Sequence, residues 1–174
     1  NQEIFWASGA CFFIRSNVYK EIKGFDTSFF AHQEEIDLCW RAINKGHTIK
    51  YLFESKVYHV GGATLQQGNP KKTELNFRNS LLMLTKNLPE KDLYKVLFIR
   101  MILDGIAGIQ FLLKGKFNHF LAILKAHVAF YARYSENFKK RSDFQRSEYY
   151  ITKSIVYSYF VKKIRFFNDL IMFK

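Results

Sequence analysis

Proline and cysteine are scarce in this 174-residue chain, with two of each. So little proline leaves no room for a Pro-rich linker. Cys11 and Cys39 sit in apolar stretches without a CxxC or Cys/His spacing. That argues against a disulfide framework and a zinc site, and it reads as a reducing compartment. There is no initiator Met, and the opening NQEIFWASGACFFIR has neither the basic start nor the small-residue cleavage site of a signal peptide. The run from Ile4 to Ile14 reads as a buried strand that needs neighbours on both sides, so the chain is expected to be a piece of a longer protein. Internal repeats, low-complexity tracts, a Gly-rich phosphate loop and any Asp-x-Asp are all missing.

Acids are also few: 15 against 27 Lys and Arg, a net charge of +12. The imbalance is local, with 14 basic and 11 acidic residues up to position 110 but 13 and 4 beyond it. Such asymmetry points to an anionic partner, either nucleic acid or an acidic membrane surface. Against this stands 48% hydrophobic content, with 19 Phe and 10 Tyr, enough for a real core.

Up to Pro70 the pattern is mixed α/β. After the first strand, Ser16 is a good N-cap for a short helix that Gly24 stops. A second helix is predicted from Glu34 to about Asn44, with Ile36, Cys39, Trp40 and Ile43 on one buried face. TIKYLF and KVYHV alternate as strands, and GGATLQQGN is a polar loop. Beyond Pro70 the period is helical through Leu75, Leu81, Leu82, Leu84 and Leu88, and Pro89 opens another helix. Val96 to Leu113 is mostly apolar but contains Arg100 and Asp104. Each costs about 2.5 to 3.5 kcal/mol at a bilayer centre, which favours a surface-bound or bundle helix over a simple transmembrane span.

Within FFAHQEEIDLCWR, Glu34 and Glu35 fall where the second helix should begin. Unpaired backbone N–H groups there stabilise acids by about 0.3 to 1 kcal/mol, which alone accounts for both. Asp37 and Arg41, four apart, read as an ordinary helix pair.

Four blocks in order, WASGACFFIR, GFDTSFFAHQEEIDLCWRAINKG, KVYHVGGATL and NFRNSLLMLTKN, together resemble the acceptor-side half of family 2 inverting glycosyltransferases, the rhamnosyltransferase-like group with a GT-A fold. The resemblance spans Phe5 to Asn87. It implies a partial GT-A (Rossmann-like) α/β unit over residues 1–69, a connecting helix over 70–89 and a basic, amphipathic all-helical region over 90–174. It also implies a bacterial, membrane-associated enzyme of cell-envelope polysaccharide synthesis that joins a nucleotide-sugar donor to a glycan or lipid-linked acceptor with inversion.

A hydroxyl is a poor nucleophile, so a carboxylate must accept its proton, and the family's base is the second acid of its Glu-Asp pair. That position is Glu35, one methylene longer than Asp. Glu34 either orients the acceptor or caps the helix. Asp37 with Arg41 is mainly a scaffold pair, Arg41 having a donor phosphate as its alternative. Trp6, Gly9 and Ala10 match the strand lining the sugar site, while Phe5 is expected in the core. His59, before the glycine pair, is expected near the donor diphosphate or its divalent metal, with imidazole suiting Mn²⁺ and oxygen ligands Mg²⁺. Lys71, Lys72 and Arg78 flank a loop that could close over a diphosphate; the alternative for each is a solvated face. The family binds its nucleotide through an N-terminal half ending in Asp-x-Asp. Without that half the chain is expected to be inactive alone.

In the tail, FNHFLAILKAHVAFYARY and SIVYSYFVKKIRFFNDLIMF place apolar residues opposite basic ones. They suit either an anionic membrane interface, as for a peripheral protein on the cytoplasmic face, or a helical bundle or homodimer. A nucleic-acid-binding module is the rival class, but FKKRSDFQR is the only dense basic patch and no nucleic-acid motif accompanies it. A purely structural assembly domain is the third possibility.

Overall fold

The computed structural model describes residues 2–59, 68–147, 154–166 and 169–170. It is mostly helical. In chain order come β1 (Gln2–Ile4), α1 (Ser16–Glu21), a 3-10 turn (Thr27–Phe29), α2 (Glu34–Asn44), β2 (Ile49–Tyr51), α3 (Pro70–Asn87), α4 (Glu90–Leu113), α5 (Phe117–Lys139) and α6 (Ile155–Phe160).

The two strands pair antiparallel, Gln2 opposite Tyr51 and Ile4 opposite Ile49, which sets Glu3 across from Lys50. Among the described residues this is the whole sheet. The Rossmann-like layer of parallel strands is therefore not seen, and three strand expectations are corrected. The run to Ile14 is extended only to Ile4 before turning irregular at Trp6 to Cys11. TIKYLF shortens to three residues, and KVYHV, described as far as His59, is exposed and unpaired as a strand. An apolar alternating run forms a strand only beside a partner, and the described residues offer these segments none. Most of the loop expected at residues 61–69 lies outside the described residues.

The helices begin and end for local reasons. Asn69 caps α3 by accepting from the Lys71 amide at 2.8 Å, with Pro70 in the first helical position. Gly24 stops α1 at a φ of 62°; a Cβ there would lie 2.8 Å from the Tyr19 ring. Pro89 precedes α4.

Position 70 does not divide the core. Phe29 and Trp40 from the first half are buried with Leu81, Leu82, Leu93, Leu97 and Phe130 from the helical half in one cluster. α3 is the centre of the molecule, packed along α5 and touching α2 and α4. α5 turns Ala122, Ile123, Ala126 and Phe130 of FNHFLAILKAHVAFYARY inward, while Phe117, Leu124, Val128 and Tyr131 stay exposed. Phe5 packs edge-on against Trp40 with ring centroids 5.2 Å apart.

A polar network runs through this core. Lys86 of α3, 5% exposed, donates to Asp26 at 2.8 Å and to Asp37 at 3.0 Å. Asn87 reaches the other Asp37 oxygen at 2.9 Å, and Lys86 also lies over the Phe29 ring. Burial opposes the Asp26 charge, but Lys86 and Ser28 outweigh it and hold the carboxyl well below the usual carboxylate range. Because the folded pKa is the lower one, the stability Asp26 contributes is fully present above about 3.8 and is lost as pH falls through the depressed value.

Lys86→Met removes the cation that Asp26 and Asp37 share, leaving Lys140 on the first and Arg41 on the second, and is expected to cost about 3 kcal/mol in denaturant unfolding at pH 7. The variant should also lose less stability than the parent between pH 4 and pH 2. An unchanged midpoint would contradict the network.

Candidate functional site

The loop from Ser28 to Gln33 is held in a contorted path. Phe30, His32 and Gln33 all have positive φ, at 62°, 68° and 74°. Such backbone costs free energy at non-glycine residues and persists only where neighbours over-determine it. The neighbours are Arg78 and Asn79 of α3. The Asn79 amide donates to the carbonyls of Phe29, Ala31 and His32 at 2.9, 2.8 and 2.7 Å. Arg78 donates to the Ser28 and Phe29 carbonyls at 3.2 and 3.1 Å and to Asn79 at 2.8 Å. As a result Phe29 is fully buried, Phe30 is 75% exposed, and the chain enters α2 from a left-handed residue.

This clamp delivers Glu34 and Glu35 at the first turn of α2. Glu34 Oε2 and Glu35 Oε2 are both shielded from solvent without a hydrogen-bond partner among the described residues, and so is His32 Nε2. Buried polar atoms are nearly always satisfied, so three orphans from four consecutive positions single out this turn as the candidate site. Burial is the main force raising the Glu35 pKa. Its own backbone N–H works against that, the Glu34 charge adds to it and His32 opposes it. His32 is shifted the other way, first by burial and then by the Lys72 ammonium, which keeps it neutral at pH 7.

Gly9 completes the wall. A Cβ built on it would lie 3.8 Å from Glu35 Cβ and Cδ, so the backbone of the Trp6 to Ala10 segment runs directly over the carboxylate's stem. The Ala7 amide anchors that segment on Cys39 Sγ at 3.5 Å. Trp6 is 42% exposed, and Gly9 and Ala10 are exposed beside it.

The remaining expected site residues fall elsewhere. Asp37 is 0% exposed and Arg41 is bound to it at 2.8 Å. Arg41 also donates to the carbonyls of Ile22 and, at 2.7 Å, Gly24. These contacts suit the scaffold reading of the pair. Arg78 is 6% exposed, with its donors on loop carbonyls and on Asn79. Lys71 pairs with Glu74 at 2.6 Å on the surface, while Lys72 is half-buried and close enough to act on His32. His59 is exposed in an irregular segment, and no described contact joins it to Glu35. Instead the structure supplies His32, which sequence reasoning missed. Its signal was nearness to the acid pair, masked because a histidine without a partner motif reads as structural.

Among the described residues no three His, Cys, Asp or Glu side chains gather as a metal site. Comparison with protein-family models, with curated proteins and with solved structures finds no match for this chain.

Because the folded pKa of Glu35 is raised, its charge weakens the fold: the stability present at low pH is lost as pH rises through the raised pKa. Glu35→Gln is therefore expected to raise the melting temperature at pH 7 and to leave it nearly unchanged at pH 4. An equal shift at both pH values would contradict a desolvated carboxylate.

Proposed function

We propose that this chain is the acceptor-side part of an inverting, family 2 type glycosyltransferase, and that Glu35 is its general base. The observation carrying this reading is the Glu35 carboxylate itself. It is partly buried, has one oxygen unpartnered and has a raised proton affinity, while the nearby Asp26 and Asp37 are committed to cations. A base needs a free lone pair and a pKa nearer neutrality than an ordinary carboxylate offers.

In the step that follows, an acceptor hydroxyl lies against Glu35. The hydroxyl oxygen attacks the anomeric carbon, its proton passes to Glu35, and the bond from that carbon to the nucleotide diphosphate breaks with its electron pair leaving on the phosphate oxygen. Attack opposite the leaving group inverts the centre. Glu34 orients the acceptor, the backbone at Gly9 packs on the Glu35 stem, and Lys72 is close enough to act on His32. Among the described residues no group of side chains gathers as a divalent-metal site. The proposal leaves Mg²⁺ or Mn²⁺, which would stabilise charge on the diphosphate, to an Asp-x-Asp half, with His59 as the one candidate ligand here, and routes no step through it.

The proposal places the chain on a membrane at its cytoplasmic face, where lipid-linked acceptors and a nucleotide-sugar pool meet. α4 is long and apolar enough to cross a membrane by length and composition. Its internal charges are neutralised within the hairpin: Asp104, 1% exposed, binds Arg100 at 2.6 Å and His127 of α5 at 3.1 Å. Ile99, Ile102, Ile106, Ile109 and Leu113 remain exposed along α4. That stripe suits a bilayer interface better than nucleic acid, which calls for aromatic or basic contacts instead. α6 adds exposed Ile155, Tyr157 and Phe160, and the rest of its apolar segment lies partly outside the described residues.

In a polypeptide where this chain follows an Asp-x-Asp-bearing nucleotide-binding half, Glu35→Gln is expected to lower sugar transfer by about 10² to 10⁴-fold. Glu34→Gln should lower it less. Full transfer by Glu35→Gln would overturn the reading. The chain should also float with phosphatidylglycerol vesicles, and Ile102→Asp with Ile106→Asp should release it. Vesicle binding unaffected by that pair, or a dimer that the pair dissociates, would reassign the α4 face.

A further inference from the structure

The first turns of α3 and α5 lie side by side at the end of the molecule where α4 finishes. The Thr73 hydroxyl and His119 Nδ1 are 2.8 Å apart, and Phe111 of α4 stacks on the His119 ring with centroids 5.0 Å apart. Between those first turns is a cavity of about 290 Å³. Leu121 and Ala122 give it apolar lining, and Lys71, Glu74, Asn118 and Lys125 give it polar groups. At about 30 Å³ of liquid volume per water, that is room for a small polar group. The transfer step proposed above makes no use of this cavity.

The charges around it are unevenly matched. Lys71 is held by Glu74 at 2.6 Å, whereas Lys125 has no carboxylate partner among the described residues. Two ammonium groups against one carboxylate leave a single positive charge, and the Asn118 amide adds a donor. The surroundings are apolar: Phe117 and Leu124, the sequence neighbours of Asn118 and Lys125, are exposed, as are Leu112 and Leu113 where α4 ends. One cation in a polar notch beside exposed aliphatic and aromatic side chains matches an amphiphile with one negative charge. We infer that this cavity seats the phosphodiester headgroup of an anionic phospholipid, with Lys125 and Asn118 on the phosphate oxygens and the acyl chains along Phe117 and Leu124.

The inference rests on the membrane part of the proposed function and adds a specific contact to it. The exposed stripe of α4 offers apolar surface that does not choose among lipids, and the cavity does choose. A dianionic phosphate exceeds the one uncompensated charge and meets Glu74, and a zwitterionic headgroup brings an ammonium of its own towards Lys71 and Lys125. Nucleic-acid phosphodiesters carry the right charge but are flanked by sugars and further phosphates, which leaves Phe117, Leu124 and Leu113 uncovered.

The test follows the Asn118 side-chain amide resonances of the 174-residue chain during titration with dihexanoylphosphatidylglycerol below its micelle concentration. Dihexanoylphosphatidylcholine, inorganic phosphate and a single-stranded oligothymidylate are the comparison ligands. Phosphatidylglycerol is expected to shift Asn118 and to bind more tightly than the other three. Lys125→Gln should weaken it about fivefold, the effect of one basic residue at an anionic lipid surface. Lys125→Arg should retain the affinity, and Lys20→Gln, which removes an equal charge from an exposed position on α1, should leave it unchanged. Glu74→Gln should tighten binding by uncovering a second charge.

No shift of Asn118, or equal affinity in the parent and Lys125→Gln, overturns the headgroup site. Inorganic phosphate or phosphatidylcholine binding as well as phosphatidylglycerol overturns its lipid specificity, and tighter binding of the oligothymidylate overturns it in favour of nucleic acid. None of these arms needs a bilayer, so they are independent of the flotation of Ile102→Asp with Ile106→Asp, which decides membrane attachment through α4.

Discussion

One side-chain amide holds this molecule's site in place. Asn79, fully buried on α3, shares its two N–H bonds among three successive loop carbonyls, those of Phe29, Ala31 and His32. Carbonyls converging on one donor group would repel each other and seek water without it, so Asn79 opposes the strain of the left-handed turns at Phe30, His32 and Gln33. Arg78 backs the same loop from the adjacent position. The direction in which α2 starts, and with it the environment of Glu34 and Glu35, follows from that clamp.

The five acids between residues 21 and 37 divide into separate kinds by what surrounds them. Asp26 and Asp37 share Lys86, and Asp37 further engages Arg41 and Asn87; these carboxylates are spent on holding α2 against α3. Glu21 sits at the surface with His47. Glu34 and Glu35 have a shielded oxygen each and no partner for it. Burial raises the proton affinity of both Asp26 and Glu35, but at Asp26 Lys86 and Ser28 outweigh it and the affinity falls, while at Glu35 nothing comparable does and it rises. Divergence of this kind separates scaffold acids from candidate reacting ones without reference to any relative.

The bounds of α2 were legible because Ile36, Cys39, Trp40 and Ile43 repeat at helical spacing, and Asp37 with Arg41 is a pair that helix geometry alone predicts. Pro70 and Pro89 announced the starts of α3 and α4 for reasons of backbone chemistry. The strands were less legible. Ile4 to Ile14 and KVYHV carry apolar alternation, but pairing depends on a neighbour that local sequence does not specify. Lys86 and Asn79 were invisible as scaffold because their partners lie about 50 positions away, and nothing in NFRNSLLMLTKN says which polar residues of α3 turn inward. Arg78 is a case of the same kind: a cation beside a loop reads as a ligand binder, and the Ser28 and Phe29 carbonyls it meets are as distant in sequence. Nothing around Pro70 says that Phe29 and Trp40 pack in one cluster with residues of α3, α4 and α5.

The most direct test is a carbon-detected NMR titration of the Glu35 side-chain carboxyl in the parent chain and in Asn79→Ala. The clamp requires Glu35 to titrate above its ordinary 4.5 in the parent and to move back towards that value when the loop is released. A parent Glu35 titrating at or below 4.5, or a raised value that Asn79→Ala leaves untouched, would contradict it.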